Sequence, residues 1–377
     1  MLLLLLFFLA ACSGSDNETI QQLQPEPPPT TVIKITAAGD FLMHLPVVNS
    51  AVDPTTGSYN FKPIFELIRP YFEGADLALV NLETRLAGRE RGYSGYPLFN
   101  SPAELAAEMK SIGVDLVLTA NNHSLDMGAR GLLATLNNLD AAGLDHIGNY
   151  RSREERDKPY IKDINGIRVG FLNYTQSTNG LPAPPDQEYL VNMIDRELML
   201  ADIKATREAG ADFIIACPHF GTEYQRHPNE YQEAVVTELF QAGVDAVLGN
   251  HAHVVQPMEL VRLDNRDQPA FVAYSLGNFI SNQRWRYSDS GIIVNLYIEK
   301  NHQEQSARLI RAEWVPIWVH TYPAGGKSRY RVLPVDEAIA WYENQKDPLL
   351  TEEDYIQLLE VRNDLNMHLG ERILNLE

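Results

Sequence analysis

The chain has 377 residues, 45% of them hydrophobic, enough for one large α/β domain with additions or for two domains. Thirty-one Lys and Arg against fifty Asp and Glu give a net charge of −19, with no sustained basic stripe, which argues against a nucleic-acid partner whose phosphates need neutralising. An anionic substrate would need a local cationic focus, and bound metal ions are the natural source of one.

Residues Met1 to Ala11 form an apolar run too short to span a bilayer comfortably and suited to a signal-peptide core. It ends in Leu9-Ala10-Ala11-Cys12, the pattern of a bacterial lipobox, so Cys12 is expected to carry lipid. The other reading is a secretory signal with an incidental cysteine. No Lys or Arg precedes the run, so the translation start is expected further upstream. Residues 13–31, with Pro25-Glu26-Pro27-Pro28-Pro29, are too polar and proline-rich to bury a core and read as a tether. The domain proper is expected over 32–325, with a helical extension over 326–377.

From Val32 the pattern alternates. Strands are predicted at Val32–Ala37, Leu77–Val80, Asp115–Thr119, Val169–Asn173, Phe213–Ala216 and Ala246–Leu248. Amphipathic helices are predicted near Pro63–Tyr71, Ala103–Ser111, Arg130–Ala142, Arg196–Glu208 and Glu230–Ala242. Beyond His253 the pattern changes to successive strands: Pro257–Leu263, Ala270–Tyr274, Ile292–Ile298 and Arg308–Trp314. A mainly parallel sheet followed by an antiparallel run predicts two sheets packed face to face with helices outside. In the tail, Thr351 reads as a helix N-cap, with Ile356, Leu359, Leu365, Leu369 and Ile373 facing the body. Cys217 is the only cysteine besides Cys12 and reads as a small buried hydrophobe.

Chemistry concentrates just past the predicted strand ends. Asp40 follows Gly39 after the first strand, where a carboxylate serves either as a metal ligand or as a turn former. Glu83 follows the second strand, and its residue type alone fits a solvated, helix-capping loop equally well. In Asn122-His123 the amide oxygen can ligate a metal while the adjacent imidazole protonates a leaving group, with Asp126 orienting it. His251 and His253, two apart, reach the same side of an extended segment, and His219 leaves another strand end. Arg284 and Arg286 could hold a carboxylate or phosphate, or could cover apolar surface with their stems. His146, His227, His302, His320 and His368 have no such context.

Together these segments resemble the CapA family of capsule-synthesis proteins associated with poly-γ-glutamate. The matching pieces are Gly39-Asp40, Asn81-Leu82-Glu83, Asn121-Asn122-His123 with Asp126, His219-Phe220-Gly221 with Glu223 and Tyr224, Gly249-Asn250-His251-Ala252-His253 with Gln256, and Tyr274-Ser275-Leu276-Gly277-Asn278-Phe279. They run in consistent order from about Val32 to Phe279. The family is similar to the calcineurin-like metallophosphoesterases, which implies an α/β fold, a four-layer αββα sandwich of metallo-dependent phosphatase type, with two divalent metal ions. The resemblance implies Asp40, Glu83, Asn122, His219, His251 and His253 as ligands and His123 as general acid, with His44, Asn81 and Glu223 as further metal or substrate contacts. Three positions depart from the pattern. His44 lies four residues after Asp40 where phosphoesterases have Asp-x-His, Glu83 is a positional stand-in for a bridging aspartate, and Ala252 replaces a common proline.

Two functions follow from this reading. One is a membrane-anchored hydrolase cleaving a phosphoester, or less readily an amide, of an anionic envelope polymer or its precursor. The other is a non-catalytic accessory that binds such a polyanion during poly-γ-glutamate assembly or export, within a capsule-synthesis complex. A third, narrower reading is a peptidase of cell-wall γ-glutamyl links. The donor set does not distinguish Mn, Fe, Zn or Co.

Overall fold

The computed structural model describes residues 29–264, 266 and 268–376; Cys12, the leader over 1–12 and the tether over 13–28 lie outside the described residues. The described residues open with β1 (Thr30–Phe41), then three short helices, α1 (Leu45–Ser50), α2 (Lys62–Phe65) and α3 (Arg69–Glu73), before β2 (Leu77–Asn81). The single helix expected over Pro63–Tyr71 is thus two. Pro63 and Pro70 each sit in a first turn, where a missing N–H costs nothing, and Pro70 cannot continue the preceding helix. Next come α4 (Glu104–Ser111), β3 (Leu116–Leu118), α5 (Gly128–Ala141), β4 (Asp145–Ile147) and α6 (Arg153–Asp157). The second half runs β5 (Ile161–Ile164), β6 (Ile167–Thr175), α7 (Arg196–Glu208), β7 (Phe213–His219), α8 (Glu230–Gln241) and β8 (Ala246–Leu248).

The remaining strands are β9 (Met258–Val261), β10 (Ala270–Ala273), β11 (Asn278–Ile280), β12 (Ser290–Asn301), β13 (Ser306–Ala324) and β14 (Lys327–Pro334). They are followed by α9 (Val335–Glu343), α10 (Glu352–Leu369) and β15 (Ile373–Asn375). One sheet has the order β14-β13-β12-β1-β2-β3-β4, with β11 beside β1 and β15 beside β13; the other is β5-β6-β7-β8-β10-β9. β1 to β4 are mutually parallel, as are β6, β7, β8 and β10.

Period-2 alternation makes the layers. Ile33, Ile35 and Ala37 of β1, Leu77 and Leu79 of β2, and Leu116 and Leu118 of β3 share one buried cluster with Phe213, Ile215 and Cys217 of β7 and Phe271 and Ala273 of β10. The alternate residues Ala78, Val80 and Val117 face the helices outside the first sheet, and Ile214, Ala216 and Val247 face α7 and α8. Full burial of each such aliphatic or aromatic side chain contributes about 1.5–3 kcal/mol. Helix starts are fixed locally: Asp195 caps α7, and Asn229 forms a capping box with Gln232 at α8.

Thr351 caps α10 in a box with Asp354. The face expected for this helix holds in part: Leu365 is buried and Leu359 and Leu369 pack against the core. Leu358, Val361 and Leu365 are buried, while Ile356 is 59% exposed and Ile373 48% exposed. The spacing Leu358, Val361, Leu365 is itself helical, its first member two residues on from Ile356 and so about 200° round the helix, and it packs with α9 onto Trp314, Trp318 and Leu333 at the flank of the first sheet. Residues 327–334, expected within a helical extension, are β14 of that sheet, so helix begins at Val335.

Candidate metal centre

The parallel strands end on one rim, and the candidate residues sit there. Asp40 lies at the end of β1, Asn81 at the end of β2 and His219 at the end of β7. Two glycines are required for this approach. A Cβ on Gly39 would lie 1.9 Å from the Gly277 carbonyl oxygen, and one on Gly249 would lie 2.0 Å from that of Tyr274. Gly39 therefore serves close packing against the β11 segment.

The structure brings Asp40, Glu83, Asn122, His123, His219, His251 and His253 into one buried cluster. Asn81 donates to Asp40 Oδ1 at 2.7 Å and stands 3.3 Å from His219 Nδ1. Asn122 Oδ1 is 2.9 Å from His219 Nε2, which is 3.1 Å from His251 Nδ1. His253 Nδ1 is 3.2 Å from Asp40 Oδ2 and 3.1 Å from Asn278 Oδ1. His251 and His253 hold φ values of 100° and 57°, a left-handed backbone that non-glycine residues adopt at a cost of order 1–3 kcal/mol. That cost places both imidazoles in the cluster.

Glu83 is the pivot. Its Oε1 lies 3.5 Å from His219 Nε2 and 3.8 Å from His253 Nε2, and both its oxygens are buried without a hydrogen-bond partner. Burial, then the neighbouring Asp40, pushes its carboxyl up to about 8. Burial pulls His219 down to about 3 and His251 well below the ordinary histidine value, against the carboxylates nearby. His253 is raised to about 9: burial opposes its charge, and Glu83 and Asp40 outweigh it. A carboxylate so buried and unpaired needs either a proton or a cation, and the surrounding donors suit a divalent ion. Glu83, His219 and His251 form one ligand group and Asp40, Glu83 and His253 a second, each with its ligand atoms within 4.8 Å. Glu83 belongs to both.

His123 stands beside these groups, its Nε2 4.0 Å from Glu83 Oε1. Its Nδ1 lies 2.8 Å from Asp126 Oδ2, which also accepts the Phe99 backbone N–H at 2.7 Å. An ionised carboxylate only accepts, so Nδ1 donates and Nε2 is turned to the cluster. The Phe99 ring meets the imidazole edge-on at 4.7 Å.

Other candidates lie outside both ligand groups. His44 turns its Nδ1 to the Leu42 carbonyl and the Asn282 N–H, with its ring against Phe99. Glu223 is exposed at the rim. Arg284 donates to the Val319 carbonyl, and Arg286 pairs with Asp364 and Glu360. Both guanidinium groups are thus engaged by the protein, and neither is brought into the cluster. Sequence reading missed Arg85, which is fully buried and donates to Asn149, to the Leu82 carbonyl and to Asn121, binding together the loops that carry Glu83 and Asn122. Its only signal was an arginine two residues after Glu83, in the segment Leu82-Glu83-Thr84-Arg85-Leu86.

Two facing sheets with helices outside, and a ligand cluster on the shared rim, define a metallo-dependent phosphatase type of fold. A Staphylococcus aureus structure assigned as a 5'-nucleotidase is similar to it at TM-score 0.50, with 15% identity, over 89% of this chain and 59% of that one. A Bacillus subtilis calcineurin-like phosphoesterase, YfkN, is similar at TM-score 0.45 and 16% identity, over 89% of this chain and 98% of its own. Residues 34–283, more than half of the chain, match the bacterial capsule synthesis protein PGA_cap model, and the chain belongs to that family. The PGA biosynthesis protein CapA of Bacillus subtilis is 26% identical over 82% of this chain and 80% of its own length. The capsule biosynthesis protein CapA of Bacillus anthracis is 25% identical over 71% of this chain, a match that spans 64% of that relative.

Proposed function

We propose that the chain is a dinuclear-metal hydrolase of capsule-polymer metabolism, acting on a phosphoester in preference to an amide. The observation that carries this reading is Glu83: one buried, unpartnered carboxylate shared by two sets of ligands. Asp40 and His253 would complete one ion's set, His219 and His251 the other's, with Asn122 next to His219. Divalent ions held there would supply Lewis acidity that stabilises charge on the attacking and departing oxygens.

The chain's own residues supply the rest. Asp126 accepts from Nδ1 and Phe99 fixes the tilt of the ring, so that the doubly protonated imidazole would pass its Nε2 proton to a leaving group over the cluster and be left neutral with Nδ1–H on Asp126. Arg85 keeps the two loops in register from below. Burial excludes bulk water and strengthens each of these interactions.

Cys12, by its lipobox, would anchor the domain at the bacterial cell envelope outside the cytoplasm, as part of a capsule-synthesis assembly. Among the described residues no helix is long and apolar enough to cross a membrane. The test is metal analysis combined with a panel of phosphodiester, phosphomonoester and γ-glutamyl amide substrates. The expected result is about two ions per chain and phosphoester turnover that collapses in His123→Ala. Hydrolysis of none of the three by metal-loaded protein, with His123→Ala cells still making normal capsule, would make the accessory reading correct instead.

A further inference from the structure

The two ligand groups are unequal. Glu83, His219 and His251 have the Asn122 amide oxygen beside them, 2.9 Å from His219 Nε2, whereas Asp40, Glu83 and His253 have so far been assigned no such neighbour. His44 does not supply one, because its Nδ1 is turned to the Leu42 carbonyl and the Asn282 N–H. A further oxygen does reach this half: Asn278 Oδ1, 3.1 Å from His253 Nδ1.

The backbone brings it there. Asn278 opens β11 and pairs in parallel register with Asp40, whose N–H donates to the Gly277 carbonyl at 3.0 Å. Gly39 permits that approach on one side, since its Cβ would strike the Gly277 carbonyl. On the other side a Cβ on Gly291 would lie 2.3 Å from the Asn278 carbonyl oxygen. A side chain at either glycine would push Asn278 off the rim.

The far end of the amide decides which atom faces the cluster. Nδ2 donates to Gln283 Oε1 and to the Ser288 carbonyl, both at 2.8 Å, with the His253 carbonyl at 3.3 Å. All three are placed as acceptors, so the nitrogen lies there and Oδ1 is turned to His253 and Asp40. That leaves a shortage of hydrogens. His253 Nδ1 carries at most one and faces two acceptors, Asn278 Oδ1 at 3.1 Å and Asp40 Oδ2 at 3.2 Å. Asp40 and Asn278 are fully buried, so bulk water does not make up the deficit. A cation does. Donors bound to one divalent ion at about 2.0–2.2 Å and at roughly right angles stand about 3 Å apart, which is the spacing from Nδ1 to each of these oxygens.

We propose that Asn278 Oδ1 is a direct ligand of the divalent ion held by Asp40, Glu83 and His253, the counterpart of Asn122 on the other ion. Each ion then receives Glu83, one neutral amide oxygen and at least one imidazole. A neutral oxygen completes the set without adding a third carboxylate beside Asp40 and Glu83, whose like charges already oppose each other.

This role rests on the dinuclear reading, so the test counts ions and also follows the amide itself. The full chain, with asparagine isotope-labelled at the side-chain carbonyl, is titrated with Mn²⁺ by equilibrium dialysis, and infrared difference spectra are recorded with and without the ion. Coordination weakens a carbonyl bond, so down-shifted bands are expected from Asn122 and Asn278. Loss of one band in Asn278→Ala, or in Asn278→Asp should the alanine variant not fold, assigns it. Asn278→Ala should bind one ion within threefold of the parent and the other at least tenfold more weakly. Asn278→Asp, which keeps an oxygen in place, should recover most of that loss. Two bound ions with no shifted band belonging to residue 278 overturn the proposal, as does an alanine variant that binds both ions like the parent. A parent that binds two ions, shifts the Asn278 band and hydrolyses nothing keeps the ligand and sinks the hydrolase, whereas a parent that binds no ion sinks both.

Discussion

Replacing Glu83 with glutamine should make the metal-free protein more stable while destroying its metal site. Desolvation, with Asp40 adding to it, lifts the carboxyl from an ordinary 4.5 to about 8 in the fold. Native protein then keeps a proton that the unfolded chain releases above about pH 4.5. Stability therefore falls as pH rises from about 4.5 to about 8, by about 1.4 kcal/mol per unit. At pH 7 the accumulated penalty is about 3 kcal/mol, and Glu83→Gln removes it. Metal-free Glu83→Gln should melt on the order of 5 °C above the metal-free parent at pH 7, with a flatter dependence on pH. With metal the order reverses, because ions that bind only the native parent stabilise it by mass action, and the variant has lost the ligand common to both groups. Thermal unfolding in chelator and in excess Mn²⁺, from pH 5 to 8, measures both effects. A chelated variant less stable than the parent, or one that keeps the full metal-induced shift, would refute the shared-ligand argument.

Other outcomes follow from single residues. His123→Ala should lower phosphoester turnover by about 10²–10⁴-fold with metal content unchanged, and Asp126→Asn should fall between it and the parent, as steady-state kinetics would report. Gly249→Ala drives a methyl group into the Tyr274 carbonyl and should cost about 3 kcal/mol in urea unfolding, through a backbone that cannot yield. Burial, reinforced by Arg331, pulls His320 down to about 4, so the unfolded chain binds its proton first. Stability should drop as pH falls from about 6.5 towards 4, by up to about 3 kcal/mol, and denaturant titrations at pH 7 and 5 should show His320→Gln reducing that loss.

The sequence revealed those features whose signal is local. Strand–helix alternation from Val32 to Leu248 predicted the layers, because period-2 and period-3.6 patterns each record one buried face. Polar residues placed just beyond apolar strands predicted the rim, and Asp40, Asn122, His219, His251 and His253 do converge there. Features that depend on tertiary neighbours were not legible. Glu83 alone fits a capping loop, and only its position between two ligand groups reveals an unpartnered, shared carboxylate. Arg284 and Arg286 looked available for an anion because Asp364 and the Val319 carbonyl are far away in sequence. Ile356 and Leu358 are both apolar and lie on one helix, so composition could not say which faced Trp318. β14 was hidden because Arg329 and Arg331 give it the charge of a surface segment, although it pairs along its whole length with β13.

The partners at the rim are widely separated along the chain. Asp40 meets His253 across 213 positions, His219 meets Asn81 across 138, and His219 meets Asn122 across 97. Loop closure over such spans comes late, after local helices and neighbouring strands have formed. During synthesis the amino-terminal half therefore emerges with Asp40 and Glu83 but without their imidazoles, unable to chelate. Cation uptake would then act as an end-of-assembly signal, registering only those molecules in which both halves have closed on each other.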